Sequence, residues 1–165
     1  MQTVYLCGFM GCGKTTIGRK LAEKLLLPYT DMDEYITQKY KMSVPQIFEQ
    51  KGEDFFRQAE TDAIAELAGI GGVISCGGGA MLRQQNADIA NKSGTVVYID
   101  VNFETCYARI CNDKNRPIVA ANSKEQLFDL YNTRSVVYMK NSKIHVSGEG
   151  TPENIVKLII AELSA

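Results

Sequence analysis

The segment Gly8–Thr15, GFMGCGKT, constrains this chain more than any other feature, because it satisfies the pattern G-x-x-x-x-G-K-[ST]. It follows the short apolar run Val4–Cys7 and precedes a helical pattern that we predict over Lys14–Leu26. In such a strand–loop–helix setting, backbone N–H groups converge on phosphate oxygens and the helix N-terminus adds a positive dipole. Lys14 would bring positive charge to the terminal phosphates, and Thr15 would offer a hydroxyl to Mg²⁺. The segment therefore predicts a nucleotide-binding P-loop.

Short apolar runs alternate with helical patterns along the whole chain. The predicted strands are Thr3–Cys7, Pro28–Thr30, Val73–Cys76, Thr95–Asp100 and Lys143–Ser147. Their nearly continuous apolar, β-branched character is typical of a parallel sheet that is buried on both faces. The alternation predicts an α/β fold, a doubly wound three-layer α/β/α arrangement with right-handed crossovers. Ligands in such folds bind beyond the carboxyl ends of the strands, where the predicted P-loop also lies.

The length of 165 residues favours a single domain, residues 1–165. Two stretches interrupt the alternation. Residues 33–68 hold several helical patterns without a strand, and we interpret about 33–61 as a helical insertion beside the site. Residues 111–123, CNDKNRPIVAANS, are polar with few helix signals, which favours a mobile lid.

Charge and cysteine content narrow the possible partners and compartment. A net charge of -1 gives no reason to expect a nucleic-acid or membrane partner. Five cysteines at irregular spacing fit no disulfide framework, so we expect reduced, mostly buried thiols in a cytoplasmic protein. The chain enters a strand directly, without a signal-peptide pattern, and the uncharged run Leu67–Leu82 is shorter than the roughly 18 residues of a membrane span. Nothing requires more than a monomer.

Two carboxylates, Asp31 and Asp33, follow the second predicted strand in the stretch TDMDEY. Side chains two apart in an extended chain project to the same side. One carboxylate could hold Mg²⁺ through water, while the other accepts a hydrogen bond from a substrate hydroxyl. Alternatively, one of them only caps the helix that begins near Glu34.

Arg57, in DFFRQAE, has Glu60 one turn further along the predicted helix. Arginine can grip a carboxylate through two bonds, and Glu60 could hold the guanidinium in place. The alternative is an exposed i,i+3 ion pair. The triplet Gly77–Gly79 follows the third strand, and three glycines would let a ligand approach bare backbone N–H groups. A flexible turn is the alternative for the triplet.

Three further polar residues are possible members of the site. Arg116, in NRPIV, could close with the lid over transferring phosphates. Arg134 belongs to a later helix, with a solvated surface residue as the alternative. His145 alternates with apolar neighbours in the fifth strand, which favours a packed structural role over catalysis.

A P-loop alone is compatible with a small-molecule kinase, a GTPase-type switch or an ATP-driven machine. The chain lacks the N-K-x-D motif of guanine recognition, and it leaves no room for a separate motor apparatus. A catalytically silent nucleotide-binding module would be expected to lose Lys14, Asp33 or Arg116, and all three are present. A kinase that acts on another small hydroxy acid, such as gluconate, stays as the alternative enzyme.

The order of motifs, GxxxxGKT, DxD, FRxxE, GGG and RP, resembles that of the shikimate kinases over nearly the whole chain. The stretches that carry this resemblance are GFMGCGKTTIGRKLA, DMDEYI, IFEQKGEDFFRQAE, ISCGGGAML and RPIV. The resemblance implies a nucleoside-monophosphate-kinase-like P-loop fold with strand order 2-3-1-4-5. It also implies transfer of the ATP γ-phosphoryl group to the 3-hydroxyl of shikimate, with Mg²⁺ as cofactor, in aromatic amino-acid biosynthesis.

The resemblance also implies roles for individual residues. The implied ATP-binding residues are Gly11, Cys12, Gly13, Lys14, Thr15, Thr16, Arg109, Arg116 and Pro152, with Arg109 and Pro152 beside the adenine. The implied shikimate-binding residues are Asp33, Arg57, Gly77, Gly78, Gly79 and Arg134. Thr15 and Asp31 would serve Mg²⁺, and Lys14, Asp33 and Arg116 would be catalytic. By position alone, Cys12 would offer only a backbone amide and Thr16 is typical of an ordinary helix residue.

The chain departs from the family pattern at two places. Gly150 stands where the family often has a basic residue on the adenine side, which leaves a nucleotide contact there open. Lys140 and Asn141 replace a Glu-Ala pair that often follows the tyrosine matched by Tyr138.

Overall fold

The structure is a computed structural model, and it describes residues 3–165. Within this range one five-stranded sheet has the order β2-β3-β1-β4-β5, and all four strand pairs are parallel. The strands are β1 Thr3–Cys7, β2 Tyr29–Asp31, β3 Gly72–Ser75, β4 Thr95–Asp100 and β5 Ile144–Ser147. The predicted fold class and strand order are confirmed, and the predicted strands match to within one residue at each end.

Helices flank the sheet and carry the connections between its strands. Their bounds are α1 Lys14–Leu25, α2 Met32–Tyr40, α3 Val44–Lys51, α4 Glu53–Ile70, α5 Gln84–Ser93, α6 Phe103–Ile110, α7 Pro117–Ala121, α8 Lys124–Asn141 and α9 Pro152–Ser164. A 3₁₀ turn occupies Ala80–Leu82. The expected run of helices without a strand is therefore α2, α3 and α4.

The central strand β1 forms the middle of the core because it pairs with β3 on one side and β4 on the other. Tyr5 stands opposite Ile74 and Val96, and all three are fully buried. Burial on both faces explains why this strand is an unbroken apolar run rather than an alternating one. Its carboxyl end delivers the chain directly to Gly8, where the P-loop begins.

Local signals set several helix ends as predicted. The Ser43 hydroxyl accepts a hydrogen bond from the Gln46 N–H at 3.3 Å, and the Gln46 side chain accepts from the Ser43 N–H at 2.9 Å. This capping box starts α3, and Gly52 ends it with a φ of 86°. Thr151 caps α9, with Pro152 in the first turn.

The expectation of few helix signals in residues 111–123 is wrong at one point. Arg116 and Pro117 begin α7, a helix of 5 residues. Proline has no N–H to lose at the first helical position and its fixed φ suits a helix, so the Arg-Pro pair starts a helix inside the polar stretch.

The predicted state of the cysteines is confirmed, because all five are free. Cys7, Cys12, Cys76 and Cys106 are buried, and Cys111 is exposed. His145 is exposed rather than packed inside, with its Nε2 atom 2.9 Å from the Met139 carbonyl oxygen. None of the helices in residues 3–165 combines the length and apolar character that crossing a bilayer requires.

Candidate active site

The P-loop joins β1 to α1 through backbone conformations that require glycine. Gly11 and Gly13 have φ values of 82° and 97°, and a Cβ at Gly11 would lie 2.8 Å from the Cys106 carbonyl oxygen. Gly13 occupies the N-cap of α1 without a side-chain cap. The first N–H groups of α1 are therefore left for an anion at the helix N-terminus.

The Lys14 ammonium group lies over this loop. It donates to the Gly8 carbonyl at 2.7 Å and to the Phe9 carbonyl at 3.2 Å. The Ser75 hydroxyl, at the end of β3, donates to the Lys14 carbonyl at 2.8 Å and ties the start of α1 to the sheet. A cavity of about 250 Å³ opens here, and its lining includes Lys14, Thr15, Asp31, Asp33 and Arg116.

Asp31 caps α2, as one of the alternatives held, and it also faces the phosphate cavity. Its Oδ1 atom caps α2 by accepting from the Glu34 N–H at 3.0 Å, and its Oδ2 atom accepts from the Thr15 hydroxyl at 3.4 Å. One oxygen thus fixes the helix start while the other faces the phosphate cavity beside Thr15. The carboxylate and hydroxyl are hard oxygen donors of the kind Mg²⁺ prefers.

Asp33 also lines this cavity, but it does so from a helix and not from the extended chain that the sequence predicted. Asp31 ends β2 and Met32 begins α2, so Asp33 lies in the first turn of a helix, not in an extended chain. Its Oδ1 atom is buried and has no hydrogen-bond partner within residues 3–165. Burial raises the pKa of Asp33, and the nearby Asp31 charge adds to this, against the opposing effect of Lys14, Arg116 and Arg57.

A second cavity, of about 60 Å³, adjoins the first and shares Asp33 and Arg116 with it. We call it the acceptor cavity. Its polar lining includes Asp33, Arg57, Glu60, Arg116 and Arg134, and its apolar lining includes Met10, Phe48, Phe56 and Ile118. Asp33 and Arg116 also border a wider cleft of about 380 Å³ between α2, α3 and the segment 111–123.

Arg57 is held in place within the acceptor cavity. Its Nη1 atom donates to Glu60 Oε1 at 2.6 Å, and its Nη2 atom donates to Glu53 at 3.3 Å. The guanidinium lies over the Phe56 ring, 5.5 Å from its centroid. Since the Glu60 side chain is only 1% exposed, the pair is not the exposed i,i+3 ion pair of the alternative interpretation.

The second carboxyl oxygen of Glu60 also lies in the site, which the sequence did not indicate. Its Oε2 atom is buried without a partner among the described residues, and burial raises the pKa of Glu60 to about 7 despite the opposing charge of Arg57. A Cβ at Gly77 would lie 2.8 Å from this oxygen and 2.9 Å from Asp33 Oδ1. Only glycine therefore fits between the two carboxyl groups. The FRxxE spacing signalled Glu60 as a support for Arg57, but not this free oxygen.

Side chains of the acceptor cavity also surround the rest of the glycine triplet, most closely at Gly79. A Cβ at Gly79 would lie 2.2 Å from Arg57 Nη1, and one at Gly78 would lie 3.4 Å from Arg134 Nη1. The Tyr138 hydroxyl, on α8, donates to the Gly78 carbonyl and fixes its direction. This contact was not foreseen.

Arg134 is 6% exposed, which excludes the solvated surface residue that was its alternative. Its Nε atom is buried and finds no hydrogen-bond partner in the part of the chain that the structure describes. It lines the acceptor cavity together with Arg57. Two arginines in one small cavity favour an anionic ligand such as a carboxylate.

A further cavity, of about 220 Å³, lies on the other side of the P-loop. Its lining brings together Cys12, Gly13, Thr16, Arg109 and Pro152, all predicted on the nucleotide side. Arg109 is fixed there because its Nη1 atom donates to the Gly11 carbonyl at 2.8 Å. Gly150 borders the same cavity with open space around it, so no basic side chain contributes at that position. Every predicted site residue thus lines one of these adjoining cavities.

Comparisons with known proteins agree with this arrangement. A family model described as shikimate kinase matches residues 10–164. A shikimate kinase of Sulfurihydrogenibium sp. is 38% identical over 165 residues, which is 99% of this chain and 98% of that protein. A shikimate kinase of Aquifex aeolicus is 37% identical, covering 97% of this chain and 95% of that protein.

Solved structures give the same result. A shikimate kinase from Acinetobacter baumannii, determined in complex with shikimate, superposes with a TM-score of 0.90 at 34% identity, covering 98% of this chain and 94% of that one. A gluconokinase from Sinorhizobium meliloti has a TM-score of 0.58 at 14% identity, covering 99% of this chain and 91% of that one. At that identity it shares the fold alone.

Proposed function

The chain belongs to the shikimate kinase family, and from that membership we propose that it transfers the γ-phosphoryl group of ATP to the 3-hydroxyl of shikimate. The products would be ADP and shikimate 3-phosphate. The observation that carries this proposal is the junction of two cavities at Asp33 and Arg116. One cavity carries a P-loop and the other carries two arginines, so a phosphoryl donor and an anionic acceptor would meet at that junction.

At the donor end, the phosphates would lie at the N-terminus of α1, with the adenine beside Arg109 and Pro152. Lys14 is now bonded to two carbonyl groups of its own loop, and its ammonium group would exchange them for phosphate oxygens. Phosphoryl transfer needs mainly alignment and neutralisation of charge. Backbone N–H groups of the P-loop and the Lys14 ammonium group would supply this alignment and this positive charge.

Mg²⁺ would be held by the Thr15 hydroxyl and the Asp31 carboxylate. The two oxygens are 3.4 Å apart on the wall of the phosphate cavity, and Asp31 is kept in position by its bond to α2. Mg²⁺ commonly takes only one or two protein ligands and completes its shell with water and phosphate oxygens, so this pair suffices. The ion would supply charge neutralisation at the phosphates.

At the acceptor end, Arg57 and Arg134 would bind the shikimate carboxylate, with the backbone of Gly77–Gly79 alongside. Asp33 would accept a hydrogen bond from the 3-hydroxyl and so align its oxygen with the γ-phosphorus. Its raised pKa is consistent with a carboxyl group that can hold the proton as it leaves the hydroxyl. This hydrogen bond would align the 3-hydroxyl with the γ-phosphorus with or without complete transfer of the proton to Asp33.

Residues 33–61 would serve as the acceptor-binding insertion and residues 111–123 as the lid. The acceptor cavity has room for only a few water molecules at about 60 Å³, so the lid would move outward for a ring-shaped acid to enter. Its closure would bring Arg116 to the phosphates and exclude water that could hydrolyse ATP. Since one chain supplies every assigned residue, a monomer suffices for activity.

The test is a coupled measurement of ADP release with Mg-ATP and shikimate, compared with ATP alone and with gluconate at equal concentration. We expect release only with shikimate, and a product phosphorylated at the 3-hydroxyl by NMR. Release with shikimate no higher than with ATP alone would refute the acceptor. Faster release with gluconate would support the alternative kinase instead.

A further inference from the structure

The segment between α6 and α7 is organised by one side chain, that of Asp113. Asp113 Oδ1 accepts from the Asn115 N–H at 2.9 Å, which closes a tight local turn. Its Oδ2 atom accepts from Arg116 Nε at 3.0 Å. One carboxylate therefore fixes both the backbone that leads to Arg116 and the side chain of Arg116 itself.

The bond engages Arg116 through Nε and not through the outer end of its guanidinium. In residues 3–165, neither terminal nitrogen of Arg116 has a hydrogen-bond or ion-pair partner, so Nη1 and Nη2 keep all four N–H groups free. Arg116 also borders the phosphate cavity, the acceptor cavity and the cleft beside α3. Arg116 thus borders both cavities between which a phosphoryl group would move.

Stability does not account for this pair. The Arg116 and Asp113 side chains are 37% and 34% exposed, and ion pairs at such sites contribute about 0–1 kcal/mol. Arginine has many rotamers, and a bond at Nε removes much of that freedom before a ligand binds. The exposed Lys124–Glu104 pair, at 3.1 Å, is comparable in distance but borders none of these three cavities.

We propose that Asp113 is a positioning residue for phosphoryl transfer: it holds Arg116 through Nε with both terminal nitrogens directed to the junction of the phosphate and acceptor cavities. The inference rests on the proposed function of Arg116. It adds a residue that touches neither substrate, and whose effect passes through Arg116 alone.

The geometry can be tested without catalysis. The chain has only six arginines, so the side-chain Nε–H signals of a ¹⁵N-labelled sample can be assigned, with Arg116→Lys identifying that of Arg116. We expect slow exchange of this proton with water in the unliganded protein, and fast exchange in Asp113→Ala, which leaves Nε without an acceptor. Fast exchange in the original chain, or no change in the variant, would overturn the inference even if the enzyme phosphorylates shikimate.

The effect on catalysis is tested by a double-mutant cycle. Asp113→Ala should lower kcat/KM for Mg-ATP by about tenfold to a hundredfold, as expected for a misplaced transition-state contact. The dissociation constant of shikimate without nucleotide, measured by calorimetry, should not change. In an Arg116→Lys background, Asp113→Ala should cost less than about twofold, because lysine has no Nε to hold.

Glu104→Gln provides the control, since it removes an exposed ion pair that borders none of the three cavities and should leave kcat/KM unchanged. An equal loss from Asp113→Ala in both backgrounds would overturn the inference, because the effect would then come from the turn and not from Arg116. If the protein shows no shikimate-dependent ADP release at all, the proposed function fails. In that case slow Nε–H exchange would still establish the geometry of Arg116.

Discussion

Replacing Glu60 with glutamine would remove one negative charge from the acceptor cavity while nearly preserving the shape of the side chain. Glu60 is 1% exposed, and burial raises its pKa from an ordinary 4.5 to about 7. Glutamine cannot titrate, and its carbonyl oxygen can still accept from Arg57. The substitution should therefore change how stability depends on pH more than it changes stability itself.

The sign follows from proton linkage. A carboxyl group with a higher pKa in the folded protein than in the unfolded one holds its proton more tightly in the folded state. The stabilisation that results is fully present below the unfolded value of 4.5 and is lost as the pH rises through about 7. Each pH unit between these values corresponds to about 1.4 kcal/mol, which gives about 3 kcal/mol for Glu60.

The assay is urea unfolding of both proteins at several pH values from about 4.5 to about 8. Far-ultraviolet circular dichroism is the suitable signal because the chain has no tryptophan. The free energy of unfolding of the original protein minus that of Glu60→Gln should fall by about 3 kcal/mol over this range. The negative charge of Asp33 contributes to the raised pKa of Glu60, so the measured difference includes the interaction between these two carboxyl groups.

Glu66 offers a control with the opposite sign. Hydrogen bonds from Lys39 and Tyr35 lower the pKa of Glu66, so its stabilisation is present at higher pH and lost as the pH falls. Its folded pKa lies below the ordinary 4.5, so the same difference measured with Glu66→Gln should stay nearly constant from about pH 4.5 to about 8 and fall modestly only at lower pH. A Glu60 difference that is constant within about 0.5 kcal/mol would refute the buried, proton-binding carboxyl.

Two further outcomes follow from the acceptor cavity. Asp33→Asn should lower kcat by at least about a hundredfold, since proton acceptance contributes that much, with ATP binding by calorimetry unchanged; full activity would contradict its role at the 3-hydroxyl. Gly79→Ala should weaken shikimate binding because its Cβ would lie 2.2 Å from Arg57 Nη1 and the guanidinium would have to move, whereas Gly69→Ala meets nothing within 4 Å and should raise stability by about 0.5–1 kcal/mol. Calorimetry and urea unfolding check this pair, and normal binding by Gly79→Ala would mean that the position of Arg57 is not needed for binding.

The strands could be predicted because buried strands consist almost entirely of apolar residues. A central parallel strand has no polar face, so β1 reads as a continuous apolar run and its bounds were predicted without error. The P-loop was equally accessible, because its glycines are required by positive φ values and by close contacts of the backbone. In both cases the residues that must meet the physical requirement follow one another in the sequence.

The contacts that could not be predicted join segments far apart in the chain. Tyr138 and Gly78 are 60 residues apart, and no local pattern says which hydroxyl will meet which carbonyl. The environment of Glu60 Oε2 depends on Gly77, which the sheet brings across from the loop after β3. The pairing of Asp113 with Arg116 is different. The two residues are three apart and Arg116 precedes a proline, so this contact could have been predicted from the local sequence of the lid.

The unpaired polar atoms of the acceptor cavity define the ligand more narrowly than its two arginines do. Asp33 Oδ1, Glu60 Oε2 and Arg134 Nε are buried without hydrogen-bond partners among residues 3–165. A ligand that displaces water from the cavity has to satisfy all three atoms, because each one left unsatisfied costs about 1–3 kcal/mol. Two of the atoms need donors and the third needs an acceptor. A molecule with neighbouring hydroxyls and a carboxylate supplies both, whereas an analogue without a hydroxyl leaves a buried carboxyl unpaired and is rejected for that reason.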